Sequence, residues 1–513
     1  MNLPEANRAL NAAEVRAGRT RLRSTPLQMN VELTGVCNVN PPCVFCSGKN
    51  VGHNYPPMDA AYLDRYAAYL ERCERINEDS FGEPLSHPQL IEVARRFSGN
   101  GRRFSLVSNG LLLTRDVAEA FAELGPAVGI HVSFNAATAP TFHKLTGKRF
   151  DLVVKNVRSF VEIYRRRQGT APDLTLTFIV MRMNRHEVPD FLHLAKQLGA
   201  VALLAPLHDR PSRPLGYFGY EFVYQREMLP FAELRTIGAE AQQLAKSLEL
   251  TVHLQWEAGA DSAVRCFSEP DVAIPCLIPW RYLHIQQHSQ KVYGCPYHKR
   301  PLGDLTTSSL EEIWNGGEAI ELRESLAAGA IPRFCWNNSA SCPLIYRARH
   351  ERFTDPATAD IIVGDNDHGH LDEGWYDVEE VPERVRWTSR RAGFRIATGQ
   401  CTTLCVRCLS FKPGLEDDPM RGHVEIADLV IGPIVLSRLG WHDVRLPLPR
   451  ALQPAGGLGA TAVRGAIVTE NPWVPAAVLD ASVCEPVIGV PRQVAGSYDT
   501  RELGIVVQRI WVE

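Results

Sequence analysis

Between residues 25 and 256, short β-like runs alternate with helical stretches, and this alternation limits the possible folds more than any other feature of the chain. Residues 28–36 (QMNVELTGV) form the first run, and 59–75 reads as a helix that Asp59 is suited to cap. Residues 104–107 lead into Ser108-Asn109-Gly110, and 128–134 follow a stretch with apolar residues at 118, 121 and 124. Runs at 174–181, 200–206 and 250–256 come later, separated by helical 191–198 and 231–248. Such repetition predicts parallel βαβ units. Wrapped together they make an α/β fold, a full or partial (β/α) barrel, with functional residues at the C-terminal ends of the strands.

Beyond residue 258 the pattern changes. Residues 259–350 hold five cysteines around a two-stranded signal (282–286 and 291–294) and a helix over 310–328. An acidic, Gly/His-rich segment from Gly364 to His370 reads as an exposed polar linker, although Asp365, Asp367, His368 and His370 are also possible metal ligands. After it, runs at 385–387, 393–397, 423–435 and 503–512, broken by Pro and Gly, predict an all-β sandwich. The expected division is an N-terminal extension (1–24), a partial barrel (25–258), a small cysteine-bearing module (259–350), a linker (351–375) and the sandwich (376–513). A chain of 513 residues has room for this many parts.

Composition excludes several roles. With 55 basic against 58 acidic side chains, net −3, nothing favours nucleic acid or an anionic membrane as partner. No apolar run reaches the roughly 18 residues of a membrane span, and the first residues lack the apolar core of a secretion signal. The expected compartment is the cytoplasm, where thiols stay reduced. There, 13 unevenly clustered cysteines read as metal sites rather than disulfides.

Cys37-Asn-Val-Asn-Pro-Pro-Cys43-Val-Phe-Cys46 lies directly behind the first β-run. Three thiolates in one loop can hold three irons of a [4Fe–4S] cluster and leave the fourth open, whereas a structural cluster takes four. An open iron needs an outside ligand, which S-adenosylmethionine can supply. A zinc knuckle with a distant fourth ligand, or unrelated cysteines, remain open from this segment alone.

The wider pattern resembles the radical S-adenosylmethionine superfamily over roughly residues 25–256. Five residues separate the first two cysteines here, where the family usually has three. The resemblance places Phe45 near the adenine. Phe81-Gly82-Glu83-Pro84 resembles the family's GGEP motif, which binds the amino group of the nucleoside, with Phe81 replacing its first glycine. Ser108 and Asn109, then Ser133 and Asn135, fall where the family contacts carboxylate and ribose, and Asn184 follows the fifth strand in a matching context. The resemblance implies a [4Fe–4S] cluster on Cys37, Cys43 and Cys46, S-adenosylmethionine on its open iron, and a flavodoxin- or ferredoxin-type electron donor.

Cys276-Leu-Ile-Pro-Trp280, Cys295, Gly303-Asp304-Leu305, Cys335 and Cys342 resemble the superfamily's auxiliary module, known in SPASM and shorter twitch forms. Four cysteines, Cys276, Cys295, Cys335 and Cys342, imply one auxiliary [4Fe–4S] cluster of twitch type; a zinc site is the alternative. Cys401-Thr-Thr-Leu-Cys405-Val-Arg-Cys408 has the family's commonest spacing, yet its surroundings read as strand, where 405 and 408 point to opposite faces. These three are expected to pack rather than bind metal. Cys73 and Cys484 are expected to be buried small hydrophobes. Cys266 is left between a hydrogen-atom donor, a further cluster ligand and a packing residue.

The closing region, with Gly374-Trp375-Tyr376, Arg386-Trp387-Thr388 and Asp499-Thr500-Arg501, resembles β-sandwiches appended to enzymes of cell-surface glycan synthesis. The combined expectation is a radical enzyme that removes a hydrogen atom from a small carbohydrate-like or glycoconjugate substrate for oxidation, dehydration or epimerisation. A peptide maturase is the first rival, disfavoured because only about 25 residues precede the barrel. A non-catalytic Fe–S or glycan-binding protein is the second.

Overall fold

A computed structural model describes residues 2–46, 55–207, 215–217, 220–222, 227–229, 231–256, 272–297, 300–332, 335, 342, 358–367, 370–372, 374–380, 383–449, 462–475 and 501–513. Two compact units divide it. The first comprises Met1–Asp209, Leu215–Phe222 and Arg226–Pro332; the second is Arg333–Glu513 with two short pieces, Arg210–Pro214 and Val223–Gln225.

In the first unit, strands β1 (Gln28–Val31), β2 (Arg75–Glu78), β3 (Arg103–Ser108), β4 (Val128–Ser133), β5 (Asp173–Val180) and β6 (Val201–Pro206) run parallel in sequence order. Strands β7 (Leu215–Tyr217) and β8 (Tyr220–Phe222) form a separate ribbon, and β9 (Val252–Leu254) extends the main sheet beyond β6. On the other side β10 (Tyr282–Gln286) pairs parallel with β1, and β11 (Lys291–Tyr293) and β12 (Gly303–Asp304) follow antiparallel. The ten strands make an open sheet with β9 and β12 at its edges.

Helices α1 (Leu3–Arg16), α2 (Leu90–Phe97), α3 (Arg115–Leu124), α4 (Ala139–Thr146), α5 (Phe150–Gln168), α6 (Val188–Leu198) and α7 (Phe231–Ser247) include the crossovers between strands. The alternate residues Ile76, Phe104, Leu106, Ile130, Val132, Leu176 and Phe178 are fully buried, which is the apolar half of the strand period. Residues 60–70 depart from the sequence reading. They form a 3-10 helix, Ala60–Tyr66, and one α-turn, Ala67–Leu70, although Asp59 does cap by accepting from the Ala61 amide.

The helix expected over 310–328 is two, α8 (Leu310–Trp314) and α9 (Gly317–Ala327). Asn315 breaks it: its side-chain oxygen accepts from Leu22 N at 2.8 Å and its amide donates to Leu22 O at 2.9 Å, with Gly316-Gly317 following. The N-terminal segment is therefore built into this module. Asn11 donates to Trp280 O at 2.7 Å, Trp314 to Ser24 O at 2.8 Å, and buried Arg323 to Pro279 O at 2.9 Å and Thr20 O at 3.0 Å.

The second unit is two antiparallel sheets. One holds β13 (Asp360–Ile362), β14 (Trp375–Glu380), β15 (Arg384–Thr388), β17 (Thr403–Leu409), β20 (His442–Pro447) and β22 (Val506–Val512); the other holds β16 (Arg391–Ala397), β18 (Met420–Ile426), β19 (Leu429–Leu436) and β21 (Ala462–Thr469). Trp387, Val406 and Ile510 from the first share one core with Phe394, Ile426 and Ile467 from the second, so the unit is a sandwich. The segment expected as an exposed linker is part of it. Asp367 and Arg386 form a buried ion pair at 2.7 Å, and His370 is buried, so the segment is held by the charge pair inside the fold. His368 lies outside the described residues.

Candidate active site

The positions between Cys37 and Asn184 that the family resemblance marked fall at or just beyond the C-terminal ends of β1 to β5. The turn at 81–84 packs on the backbone leading into the cysteine loop. Gly82 N donates to Thr34 O at 3.1 Å and Glu83 N to Val36 O at 2.8 Å. A Cβ at position 82 would stand 2.4 Å from Val36 O and 2.6 Å from Thr34 O, so only glycine fits. Glu83 joins this turn to the third strand: its buried carboxylate accepts from Ser108 Oγ and from Asn109 N, both at 2.7 Å. Burial pushes the Glu83 carboxyl up, against those hydrogen bonds. Asn109 then donates to Asn38 Oδ1 at 2.8 Å, inside the cysteine loop.

The loop is also held from the α4 side, where Val44 N donates to Leu145 O at 3.0 Å and Lys148 Nζ to Asn40 O at 3.2 Å. Phe45 packs tilted on Phe222, ring centroids 6.3 Å apart. Asn135, in the left-handed region at φ 56°, accepts from Ile179 N at 2.9 Å, and Asn184 donates to Asn135 O and Ile179 O and accepts from Met181 N. These two asparagines therefore fix the ends of β4 and β5. Ser133 is the half-buried last residue of β4.

Cys37, Cys43 and Cys46 are half-buried thiols. Burial, then the neighbouring Cys46 and Cys37, push the Cys43 thiol up, so the three lie within electrostatic range of one another. Crowded thiolates of this kind are stabilised by bound cationic metal. Three neighbouring thiols in one loop are the donor set that three irons of a cube would need, and in this respect the residues fit that group.

Of the auxiliary set, Cys276 and Cys295 belong to the first unit, Cys276 just before the one-turn helix Ile278–Arg281 and Cys295 just after β11. Cys335 and Cys342 belong to the second. Burial, then the nearby Cys342, push the Cys335 thiol up to about 12, so this pair is in mutual range. Cys266 and Cys484 lie outside the described residues. Cys73 is fully buried, as expected of a packing residue. Cys405 and Cys408 are fully buried in β17, where Cys408 faces the sandwich core and Cys405 reaches toward Glu513 and Arg445. They point apart as the strand period requires.

Sequence reasoning missed the polar face of the parallel sheet. His284, Asn30, Asn77 and Ser105 are register partners on four adjacent strands, β10, β1, β2 and β3. Asn77 donates to Asn30 Oδ1 at 2.9 Å, Ser105 to Asn77, and Asn30 to Asp79 at 3.2 Å. Sheets covered by helices on both faces carry apolar residues on both; a hydrogen-bonded polar rung marks a face open to something polar. The only sequence signals were a Glu inside QMNVELTGV and the pair His284 and His288 around a short β-run. A cavity of about 130 Å³, lined by Arg75, Arg103, His131, Asp173 and His253, opens on the same face at the strands' N-terminal ends, away from the cysteines.

Residues 31–195 match the radical SAM superfamily, and residues 276–343 match SPASM, an iron-sulfur cluster-binding domain. The chain is 34% identical over 180 residues to a probable GTP 3′,8-cyclase of Saccharolobus islandicus, covering 34% of this chain and 54% of the relative. It is 28% identical over 185 residues to an AdoMet-dependent heme synthase of Methanosarcina barkeri, covering 35% and 50%. The chain thus spans about half the length of the curated relatives it matches. Among solved structures, Streptococcus suis SuiB bound to its precursor peptide SuiA aligns at TM-score 0.47 and 13% identity over 62% of this chain and 71% of that one. Native anSMEcpe with bound AdoMet and a peptide aligns at 0.42 and 14% over 62% and 91%. A radical SAM domain implies a [4Fe–4S] cluster and S-adenosylmethionine, and a SPASM domain implies auxiliary iron–sulfur clusters. No helix among the described residues is long and apolar enough to cross a membrane.

Proposed function

We propose that this chain, in which a SPASM domain follows a radical SAM domain, is an enzyme that removes a hydrogen atom from a carbohydrate-like or glycoconjugate substrate. The reaction completed from that radical is an oxidation, a dehydration or an epimerisation. The observation that carries the reading is the polar rung His284–Asn30–Asn77–Ser105, a row of imidazole, amide and hydroxyl side chains on one sheet face, the side-chain types that hydroxyl groups pair with. Cys37, Cys43 and Cys46 hold the catalytic cluster. Phe45, Gly82, Glu83, Pro84, Ser108, Asn109, Ser133, Asn135 and Asn184 shape or contact the cofactor pocket. Cys276, Cys295, Cys335 and Cys342 hold one auxiliary cluster, and a flavodoxin or ferredoxin delivers the electron. When bound, the catalytic cluster and S-adenosylmethionine supply a 5′-deoxyadenosyl radical.

The protein's own part is positional. Gly82 lets the 81–84 turn close on the cysteine loop, Glu83 ties that turn to β3, and Asn109 ties β3 back to the loop. The rung presents a substrate at the sheet face whose strand ends carry these elements. The test is anaerobic reconstitution followed by assay of 5′-deoxyadenosine and product with free sugars, sugar nucleotides and peptides. Substrate-dependent 5′-deoxyadenosine with a sugar supports the reading. Turnover of a peptide and of no sugar would overturn the substrate class.

A further inference from the structure

Five residues lie between Cys37 and Cys43 where the superfamily usually has three, and a longer loop loses more freedom when its thiols are held together. The fold holds this loop at three points. Asn109 donates to Asn38 Oδ1 at 2.8 Å, Lys148 Nζ to Asn40 O at 3.2 Å, and Val44 N to Leu145 O at 3.0 Å. The last two contacts both come from the C-terminal end of α4. Leu145 O is one of the carbonyls that a helix leaves without an internal partner, so the cysteine loop itself caps α4.

α4 is fixed at both ends. At its start the buried carboxylate of Glu187 accepts from Thr138 Oγ1 at 2.6 Å, Thr141 Oγ1 at 2.5 Å and Ala137 N at 2.7 Å, and the helix dipole favours a negative charge there. At its end Gly147 takes the left-handed region at φ 67° and donates to His143 O at 2.7 Å, while Lys148 N donates to Thr146 Oγ1 at 3.1 Å. Lys148 is therefore the first side chain beyond a helix that cannot shift freely. It is half-buried and makes no ion pair among the described residues, whereas the adjoining Arg149 is engaged by Asp151. Burial, Cys46 and Cys37 push the Cys43 thiol up, and the charge of Lys148 opposes them, so that charge reaches the thiols.

We propose that Lys148 is a positioning residue of the catalytic cluster, which clasps the lengthened loop at Asn40 and, through its ammonium charge, makes the cluster easier to reduce. The electron that cleavage of S-adenosylmethionine requires comes from the flavodoxin or ferredoxin, and it adds a negative charge to a group already bound by three thiolates. In that transfer no bond forms or breaks and no proton moves. A cation fixed against the loop stabilises the added charge. Net charge and hydrogen bonding are among the properties that set the potential of such clusters, and Lys148 supplies both at one place. This inference rests on Cys37, Cys43 and Cys46 as the cluster ligands and is independent of the substrate class.

The test is a potentiometric titration of the reconstituted full chain with dithionite, read by electron paramagnetic resonance. The signal of the catalytic cluster is the one lost when Cys37, Cys43 and Cys46 are changed together to Ala, which separates it from the auxiliary cluster. Lys148→Met should shift the midpoint potential of that signal downward, and Lys148→Arg should restore it. Lys144→Met removes an equal charge from an exposed position on the same helix and should leave the midpoint in place. An unmoved midpoint in Lys148→Met, or one that Lys144→Met shifts as far, would overturn the proposal. Where Lys148→Met binds too little iron to titrate, Lys148→Gln, which keeps a donor and drops the charge, is titrated in its place with the same two outcomes. A wild-type signal that persists in the triple Cys variant overturns the ligand assignment beneath the proposal; an unmoved midpoint with that signal properly lost overturns the role of Lys148 alone.

Discussion

Asn109, at the end of β3, donates its side-chain amide to Asn38 Oδ1 across 2.8 Å, so the loop bearing Cys37, Cys43 and Cys46 is held from a strand two places away in the sheet. With Glu83 gripping Asn109 N, the cysteine loop, the 81–84 turn and the end of β3 form one connected piece. Disturbing any part of it should be felt at the thiols.

Replacing Cys37, Cys43 and Cys46 together with Ala should remove about half of the roughly eight irons expected of two [4Fe–4S] clusters per chain. Cleavage of S-adenosylmethionine should vanish with them. Iron analysis and a 5′-deoxyadenosine assay check this; undiminished cleavage would refute the assignment of these three ligands.

Gly82→Ala tests the packing of the turn. Its new methyl group would meet backbone oxygens at 2.4 and 2.6 Å, and backbone cannot swing aside as a side chain can. We expect a loss of about 1–3 kcal/mol, as for other overpacked sites, together with lower iron retention at the triad. A denaturation midpoint and iron content equal to wild type would show that the turn yields freely.

Changing Cys401, Cys405 and Cys408 to Ser should leave iron content and S-adenosylmethionine cleavage as they are. A stability cost of about 1–3 kcal/mol per buried hydroxyl without a partner is expected, chiefly at Cys408, which lies in the sandwich core. Loss of about four irons would instead reveal a third cluster.

Glu78 supplies a pH prediction. Burial pushes its carboxyl up to about 8, against hydrogen bonds from Ser80 and Leu33. A carboxyl raised in the folded state contributes stability that is complete below its unfolded value and is lost as pH rises through about 8. Glu78→Gln should therefore flatten the fall in melting temperature between pH 6 and 8.5. Parallel melting curves for the two proteins would count against a buried, protonated Glu78.

Asp367→Asn leaves Arg386 buried and charged without its counter-ion at 2.7 Å. Breaking one side of a buried pair typically costs about 3–5 kcal/mol, so the sandwich should unfold at a clearly lower denaturant concentration. A midpoint within error of wild type would mean that the segment around it is not held by this pair.

The sequence made the local chemistry readable and hid most of the long-range register. Strand ends, the cysteine spacing, the 81–84 turn and the Asp59 cap are all written in contiguous residues, and each lies where the alternation of runs suggested. The polar rung could not be read, because Asn30, Asn77, Ser105 and His284 become neighbours only through parallel pairing of four strands. The break between α8 and α9 was hidden for a similar reason: Asn315 is drawn out of the helix by Leu22, 293 positions earlier. The segment before β14 looked like a linker because its composition is polar, and composition carries no record of the Arg386 that Asp367 meets.

The hairpin of β10 and β11, which leads to Cys295, continues the same sheet as β1, the strand that leads to Cys37. Recombination that exchanged the SPASM segment for a relative's would strip β1 of one of its two parallel neighbours, leaving only β2, unless the newcomer brought a strand of matching register. It would also separate α1 and the residues after it from Trp280, Trp314 and Arg323. The viable unit of inheritance is therefore the whole stretch from the first helix to α9. Chimaeras cut near residue 258 should fail to fold where those cut beyond α9 succeed.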